Sequence, residues 1–142
     1  MTRYLGDDWL LPTLDSRNEA WFTAGELSLQ HCEDCGGYQH PPEDICSHCQ
    51  GSALSFVACG EAGVVESVAV VHHPVHPWLA RSCPYAIAVV SVDGAPGVNV
   101  IGNVVGCDPS AVAIGAKVRV EFERVEDTEA GVTIQLPQWR LV

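Results

Sequence analysis

The chain has 142 residues, which suffices for one ordinary domain or for a small metal-stabilised module followed by a barrel. Its 18 acidic residues outnumber the 7 basic ones and give a formal net charge of -11. Because nucleic-acid affinity comes largely from Lys and Arg that displace counterions, this charge argues against a DNA- or RNA-binding protein. No run of eighteen apolar residues occurs, so no membrane span is predicted.

Residues 1–25 are predicted to form an N-terminal arm and a short helix. Ser16 and Glu19 have the spacing of a capping box, which predicts the start of that helix. Trp21 and Phe22 are its bulky apolar residues. Two interpretations of this pair stay open: an ordinary packing helix, or an arm that lies on a partner protein.

Two Cys-x2-Cys pairs, separated by ten residues, form the strongest motif: Cys32 with Cys35, and Cys46 with Cys49. Four thiolates at this spacing complete the tetrahedral shell of one zinc ion. Glycines follow both pairs, which suits a tight turn around a metal. Because four thiolates leave no open position for water or substrate, the predicted zinc is structural. Residues 26–58 are therefore predicted to form a rubredoxin-like zinc ribbon.

Two alternatives to this ligand set concern the metal and its neighbours. Iron also binds four thiolates in rubredoxin-type sites. His31, His40 and His48 lie beside the cysteines, and any one of them could replace a sulfur ligand. Four sulfurs, with the histidines in solvent, are the simplest arrangement.

A third alternative, two disulfides, depends on the compartment. The chain opens without the apolar segment of a signal peptide, so a cytoplasmic location is expected. Thiols are kept reduced there, which favours a metal over disulfides. The same reasoning predicts that Cys59, Cys83 and Cys107 are free thiols.

Residues 59–142 contain five β-rich stretches, which predict a mostly β fold that ends in a five-stranded OB-fold barrel. The stretches are 64–71, 85–92, 98–105, 117–125 and 132–136, with a brief helical turn that begins at Asp108. Alternation in the fourth stretch places Phe122 inside the barrel and Glu123 outside. The second and third stretches are almost entirely apolar, which predicts that both of their faces are covered.

A His-rich loop is predicted between the first two barrel strands, at residues 72–78. It contains His72, His73, His76 and Trp78. Imidazoles beside an aromatic ring can bind a second metal or move a proton. The alternative is a rigid binding loop with exposed histidines, held extended by its prolines. Common nucleophile, phosphate-binding, dinucleotide-binding and zinc-protease motifs are absent, so no catalytic residue is predicted.

Six stretches of the chain, in this order, match the pattern of one known family. They are residues 25–37, Pro41-Pro42, Cys46–Cys49, Gly60–Gly63, Pro84–Val90 and Ile114-Gly115. Together they resemble the zinc-ribbon OB-fold proteins called DUF35, or acyl-CoA-associated OB-fold proteins. The resemblance covers nearly the whole chain, and the cysteine motif followed by this barrel pattern makes it specific.

Members of that family resemble non-catalytic partners of thiolase-like proteins, or are fused to enoyl-CoA hydratases of the hot-dog fold. The resemblance implies an accessory subunit in a hetero-oligomer, with the catalytic residues on a thiolase-like partner. It also implies similarity to the retro-aldolase of steroid side-chain degradation, in which such a pair cleaves a β-hydroxyacyl-CoA. Contact with acyl-CoA would occur through the partner, because only Arg81 and Arg140 are candidates for its phosphates.

The partner is expected to dock on the N-terminal helix through Trp21 and Phe22, on the ribbon, or on the 72–78 loop. Candidate contacts with the partner or its substrate channel in and after that loop are His72, His73, His76, Trp78, Arg81 and Tyr85. Two alternatives stay open. One is the same accessory role with another thiolase or an enoyl-CoA hydratase. The other is a single-stranded nucleic-acid binder that stacks bases on Tyr85 and Phe122.

Overall fold

The computed structural model describes residues 10–142. One α-helix, α1 (Glu19–Thr23), precedes eight strands and two short 3-10 helices. The strands are β1 (Ser28–Cys32), β2 (Tyr38–Gln39), β3 (Leu54–Ala58), β4 (Ala62–Val71), β5 (Tyr85–Val92), β6 (Asn99–Val104), β7 (Lys117–Asp127) and β8 (Val132–Leu141). The 3-10 helices are Pro77–Ser82 and Pro109–Ala111. Within residues 10–142, no helix is both long and apolar enough to cross a membrane.

The strands form two sheets. The first is a three-stranded antiparallel ribbon in the order β2-β1-β3, and the second is a closed barrel in the order β4-β5-β6-β8-β7. All barrel pairings are antiparallel except that of β6 with β8. This closure, with the third barrel strand parallel to the fifth, is the arrangement of an OB-fold. The predicted mostly β fold, a zinc ribbon followed by a five-stranded barrel, is confirmed.

The barrel interior is filled by one large side chain surrounded by small ones. Trp139 on β8 is fully buried, and so are Ala86 and Ala88 on β5. A Cβ added to Gly102 on β6 would lie 3.0 Å from Cδ1 of that indole. Small residues on β5 and β6 therefore provide the space that the tryptophan occupies.

The ribbon shares its hydrophobic core with the barrel. Leu27 and Leu29, at the start of the ribbon, are fully buried in the same cluster as Val92 of the barrel. The connection between ribbon and barrel is equally tight, since a Cβ on Gly94 would lie 2.1 Å from the carbonyl oxygen of Cys59. Packing therefore holds the ribbon in place against the barrel, because a shift of either one would displace the close-packed side chains that they share.

The predicted capping box at Ser16 and Glu19 is wrong by one residue. Asp15 and Asn18 form the reciprocal pair instead: the Asp15 N–H donates to Oδ1 of Asn18 at 2.8 Å, and the Asn18 N–H donates to Oδ1 of Asp15 at 2.9 Å. Carboxylate and amide oxygens at this spacing accept from the same unpaired backbone N–H groups as a Ser/Glu capping box would. Ser16 is not needed for this and stays exposed.

The prediction that Glu123 faces solvent is also wrong, because this side chain is fully buried. Nε2 of Gln138, which is buried as well, donates to its carboxylate at 3.1 Å. Because the neighbouring strand β8 supplies this polar partner, the carboxylate can be buried. Phe122 is half-buried and packs against the core, as its place in the pattern predicts.

The expected cover on both faces of the second and third barrel strands is only partly present. On β5, buried residues alternate with half-buried ones. On β6, Ile101 is 65% exposed. The barrel therefore presents an apolar outer face at β5 and β6, beside helix α1.

Candidate metal centre and partner-facing surfaces

Each cysteine pair lies in a knuckle with the same backbone hydrogen bonds. In the first knuckle the Cys32 N–H donates to the carbonyl of Gly37, and the Gly36 N–H donates to the carbonyl of Cys32, both at 2.8 Å. The second knuckle repeats these two bonds between Cys46, Gln50 and Gly51, at 2.8 and 2.9 Å. The repeated sequence spacing thus produces two equivalent turns that present their thiols toward each other.

Both knuckles require one residue in the left-handed region. Gly36 adopts φ of 76° in the first knuckle, where an absent Cβ removes the steric cost. Gln50 occupies the matching place in the second, with φ of 60°. A non-glycine residue in this region costs about 1 kcal/mol of folding free energy. Other interactions of the metal centre must therefore stabilise the second turn.

The four sulfurs form a cluster of the size that a zinc ion requires. The Sγ atoms of Cys32, Cys35, Cys46 and Cys49 all lie within 4.8 Å of one another. Cys32 and Cys49 are 3.7 Å apart at Sγ, as are Cys35 and Cys46. A regular tetrahedron with Zn–S bonds of about 2.3 Å has edges of about 3.8 Å, whereas bonded sulfurs are separated by about 2.05 Å. These separations fit one tetrahedral metal and not two disulfides.

Backbone amides favour the thiolate form of Cys46 in the second knuckle. The N–H of Cys49, followed by that of His48, lowers the pKa of the Cys46 thiol to about 6. The His48 N–H lies 3.4 Å from that sulfur. Amide donors of this kind stabilise ligand charge and orient the sulfur toward the metal.

None of the three neighbouring histidines is placed as a ligand. The ring of His31 lies 4.7 Å from that of Tyr38, and Nε2 of His48 lies 3.1 Å from the Tyr38 carbonyl oxygen. His40 packs on Trp21 instead. Among residues 10–142, the four cysteines are the only group of three or more potential ligands that converges.

Two buried glutamines organise the ribbon beside the metal centre, and sequence patterns did not reveal them. Gln30 and Gln39 are 6% and 8% exposed, and Nε2 of Gln39 donates to Oε1 of Gln30 at 2.6 Å. Their amides also bind the backbone of the loop between the knuckles, at Glu43, Ile45 and Ser47. This network replaces the apolar core that so short a loop lacks, because every amide position finds a partner.

We expect Gln39→Ala to destabilise the ribbon by about 2–3 kcal/mol, because it leaves the Ser47 N–H and the Ile45 carbonyl without buried partners. Chemical denaturation of the zinc-loaded protein measures this loss. Ser52→Ala, at an exposed position of the same ribbon, is the matched control and should change stability by under about 0.5 kcal/mol. Equal stability of the two variants would contradict the structural role of the network.

His40 connects helix α1 to the ribbon in a partly buried position. Its ring lies 4.4 Å from that of Trp21, and its buried Nδ1 has no hydrogen-bond partner in the described part of the chain. Burial lowers the pKa of His40 to about 4. The neutral imidazole therefore suits this site, since burial removes the water that would solvate an imidazolium ion.

His40 is expected to make stability pH-dependent. Between pH 6.5 and 4 the unfolded chain binds a proton that the folded chain rejects, so stability rises with pH across this window, by roughly 3 kcal/mol in total. The measurement is the stability of wild type minus that of His40→Phe at each pH. His72→Gln, at an exposed histidine, should leave the wild-type profile unchanged. A difference that is flat with pH would show that His40 titrates normally.

The His-rich loop does not assemble a second metal site. His72, His73 and His76 are all exposed and do not converge among the described residues. Nδ1 of His76 accepts a hydrogen bond from the Trp78 N–H, and the two rings meet edge to face at 4.8 Å. The contacts between His76 and Trp78 thus stabilise the loop, and no metal ion is needed for this.

The loop instead exposes apolar surface. Val75 is 96% exposed and Trp78 is 51% exposed. A pocket of about 190 Å³ lies beside Trp78 and is also lined by Leu10, His76 and Leu79. Arg81 is exposed in the 3-10 helix that follows, and Tyr85 is half-buried at the start of β5. Exposed apolar side chains grouped in one loop favour an interaction site.

The two helix residues named from the sequence have different surroundings. Trp21 is only 5% exposed and belongs to the shared core, so it packs inside the protein. Phe22 is half-buried and lines a groove of about 430 Å³ with Ile87 and Ile101 of the barrel. Trp21 also lines this groove but is almost fully buried, so Phe22 presents the larger surface to a second molecule.

Comparison with known proteins decides the family. Residues 23–55 match the model of the ChsH2 rubredoxin-like zinc ribbon domain, and residues 56–123 match that of the ChsH2 C-terminal OB-fold domain. The chain belongs to the DUF35 family. Two relatives named DUF35 domain-containing scaffold protein are each 30% identical. That of Methanocaldococcus jannaschii aligns over 71% of this chain and 71% of its own length, and that of Methanothermobacter thermautotrophicus over 75% and 79%.

Two further relatives of this DUF35 chain are named as parts of enzymes. The 3-oxo-4,17-pregnadiene-20-carboxyl-CoA hydratase alpha subunit of Mycobacterium tuberculosis is 31% identical over 96% of the chain, which spans 40% of that protein's length. A chain of the solved Ltp2-ChsH2(DUF35) aldolase has a TM-score of 0.75 and 31% identity, covering 92% of this chain and 98% of that one. A DUF35 protein of unknown function from Sulfolobus solfataricus, with a TM-score of 0.52 and 16% identity over 86% and 83% of the two chains, shares the fold.

These matches confirm the predicted family and the zinc ribbon. They also agree with the four-sulfur cluster, whose closed shell suits a structural ion. In this DUF35 chain the zinc would stabilise both knuckles and contribute no open coordination position.

Proposed function

We propose that this chain is the non-catalytic accessory subunit of a thiolase-like enzyme that cleaves a β-hydroxyacyl-CoA by a retro-aldol reaction in steroid side-chain degradation. The observation that carries the proposal is the likeness to a chain of the Ltp2-ChsH2(DUF35) aldolase over 98% of that chain. The complex is a cytoplasmic hetero-oligomer, and the partner contributes the catalytic residues.

The chemistry of the described residues supports an accessory role. The four thiolates form a closed metal shell, and the loop imidazoles do not converge on one point. Arg140 forms an ion pair with Glu121, so Arg81 is the better placed of the two candidates for a CoA phosphate. Contact with acyl-CoA is therefore shared with the partner, because one exposed guanidinium binds a multiply charged ligand weakly.

The proposed docking surface is the 72–78 loop with Arg81 and Tyr85, together with Phe22 on helix α1. The exposed Val75 and Trp78 supply apolar anchors, which dominate the affinity of such interfaces when a partner buries them. The histidines surround these anchors and form the polar rim.

A second candidate is the same accessory role with an enoyl-CoA hydratase, favoured by the name of the mycobacterial relative. Binding to single-stranded nucleic acid is less well supported. Phe122 packs against the core instead of presenting its face, and the net charge is -11.

Co-purification with the thiolase-like protein encoded beside this chain tests the docking surface. Val75→Asp should weaken the complex at least tenfold, because it places a charge in a desolvated apolar contact. Ile114→Asp, at a residue that is 70% exposed elsewhere on the barrel, is the matched control and should bind like wild type. Equal binding by both variants would remove the loop from the interface.

A further inference from the structure

The outer edge of the ribbon sheet has unpaired backbone groups. β3 pairs with β1 on one side and with no strand on the other within the described chain. Two bonds fix the register: the Cys59 N–H donates to the Leu27 carbonyl, and the Glu33 N–H donates to the Ala53 carbonyl. Hydrogen-bonded pairs alternate with non-bonded pairs in an antiparallel ladder.

This alternation decides which groups of β3 face outward. Ser55 and Val57 pair with His31 and Leu29 in hydrogen-bonding positions. Phe56 and Ala58 therefore direct their N–H and C=O groups away from β1. Two donors and two acceptors at strand spacing are thus available to a further strand.

The edge also lacks the features that keep natural edge strands from pairing. β3 has the sequence Leu-Ser-Phe-Val-Ala, with no charge and no proline. The opposite edge is protected, since β2 has only two residues and Pro41-Pro42 follow it closely. Short strands, prolines and charges are the usual protection of sheet edges, so an uncharged five-residue edge indicates a partner strand.

The surrounding charge indicates which strand fits. No Lys or Arg occurs from Asn18 to Ala80, whereas eight Asp or Glu residues do. Glu33 lies beside the start of β3, and Glu26 and Glu61 lie near its end, all exposed. Two copies of this chain would repel each other here, while a strand with basic flanks would be attracted.

We propose that β3 is a docking edge that accepts an extended strand of the partner protein, uncharged at its centre and flanked by Lys or Arg. The strand continues the ribbon sheet in the order β2-β1-β3-partner. Main-chain hydrogen bonds supply affinity, and the acidic flanks of the ribbon supply specificity. This inference rests on the proposed function, because it names the ribbon edge as a second contact with the same thiolase-like partner.

Hydrogen exchange resolved at single amides tests the proposal, using this chain alone and in complex with the thiolase-like protein encoded beside it. In the free chain the amides of Phe56 and Ala58 should exchange much faster than those of Ser55 and Val57, which bond to β1. In the complex the first pair should slow at least about 100-fold. The second pair is the internal control.

A matched pair of variants tests the same contact by affinity. Ala58→Pro removes one outward N–H at a position where an edge strand tolerates proline, and it should weaken the complex at least about tenfold. Ala58→Val keeps the donor and should bind within about twofold of wild type. Zinc content and melting temperature of both variants verify that the ribbon is intact.

The outcomes separate this inference from the proposed function. A stable complex in which Phe56 and Ala58 stay unprotected would overturn the docking edge and leave the accessory role standing. Failure to form any complex would overturn both. Protection that appears in this chain alone as its concentration rises would mean self-pairing of two edges and would overturn the partner assignment.

Discussion

Cys32→Ser is expected to abolish zinc binding and to unfold the ribbon. Cys32 is fully buried, and its sulfur lies 3.7 Å from that of Cys49, so serine leaves the tetrahedral shell with three thiolates. Structural zinc sites of this kind contribute on the order of 10 kcal/mol to folding. Because Leu27 and Leu29 belong to the shared core, the barrel should lose stability together with the ribbon.

Metal analysis by mass spectrometry and amide exchange across residues 26–58 measure this loss. Wild type should contain one zinc per chain, and Cys32→Ser should contain none. Cys107→Ser, which removes a half-buried thiol outside the cluster, is the control and should retain the metal. A folded ribbon without metal, or iron in the purified wild-type protein, would contradict the assignment of zinc.

Gly94→Ala is expected to destabilise the protein by about 3 kcal/mol or more. The added Cβ would lie 2.1 Å from the backbone oxygen of Cys59, at the point where the chain passes from the ribbon to the barrel. A backbone atom cannot rotate aside as a side chain does, so the ribbon and the barrel would have to separate slightly.

Gly97→Ala in the same hairpin is the matched control. Its φ is +80°, yet a Cβ there would meet nothing within 4 Å, so only backbone strain of about 1 kcal/mol is expected. Thermal or denaturant unfolding distinguishes the two variants. Similar stability of both would mean that the contact between ribbon and barrel is looser than the structure indicates.

Local sequence patterns predicted those features that local geometry determines. The spacing of the four cysteines defines two identical turns, and the apolar β-rich stretch at residues 85–92 has the bounds of β5 as the structure has them. Asp108 followed by Pro109 predicted the short helical turn, in which the Asp108 carboxylate accepts from the Ser110 N–H at 2.9 Å.

Features that depend on distant contacts were not predicted. Glu123 looks like an exposed position of an amphipathic strand, but it is buried beside Gln138 of β8. For Trp21 the sequence left open a packing helix and an arm that lies on a partner, and only the fold shows that His40 and the shared core cover its ring. Gln30 and Gln39 carry no periodic signal, because their role depends on loop backbone that folds over them.

The rate of acyl-CoA cleavage by the thiolase-like partner, measured while this chain is titrated in, tests the accessory role most directly. The accessory role predicts no cleavage by this chain alone and a rate that rises with added chain and then saturates at a fixed ratio of the two subunits. The substrate should be a β-hydroxyacyl-CoA whose acyl group is the side chain of a steroid. The zinc-free variant Cys32→Ser should fail to raise the rate. Full activity of the partner without this chain, or cleavage by this chain alone, would contradict the role proposed for it.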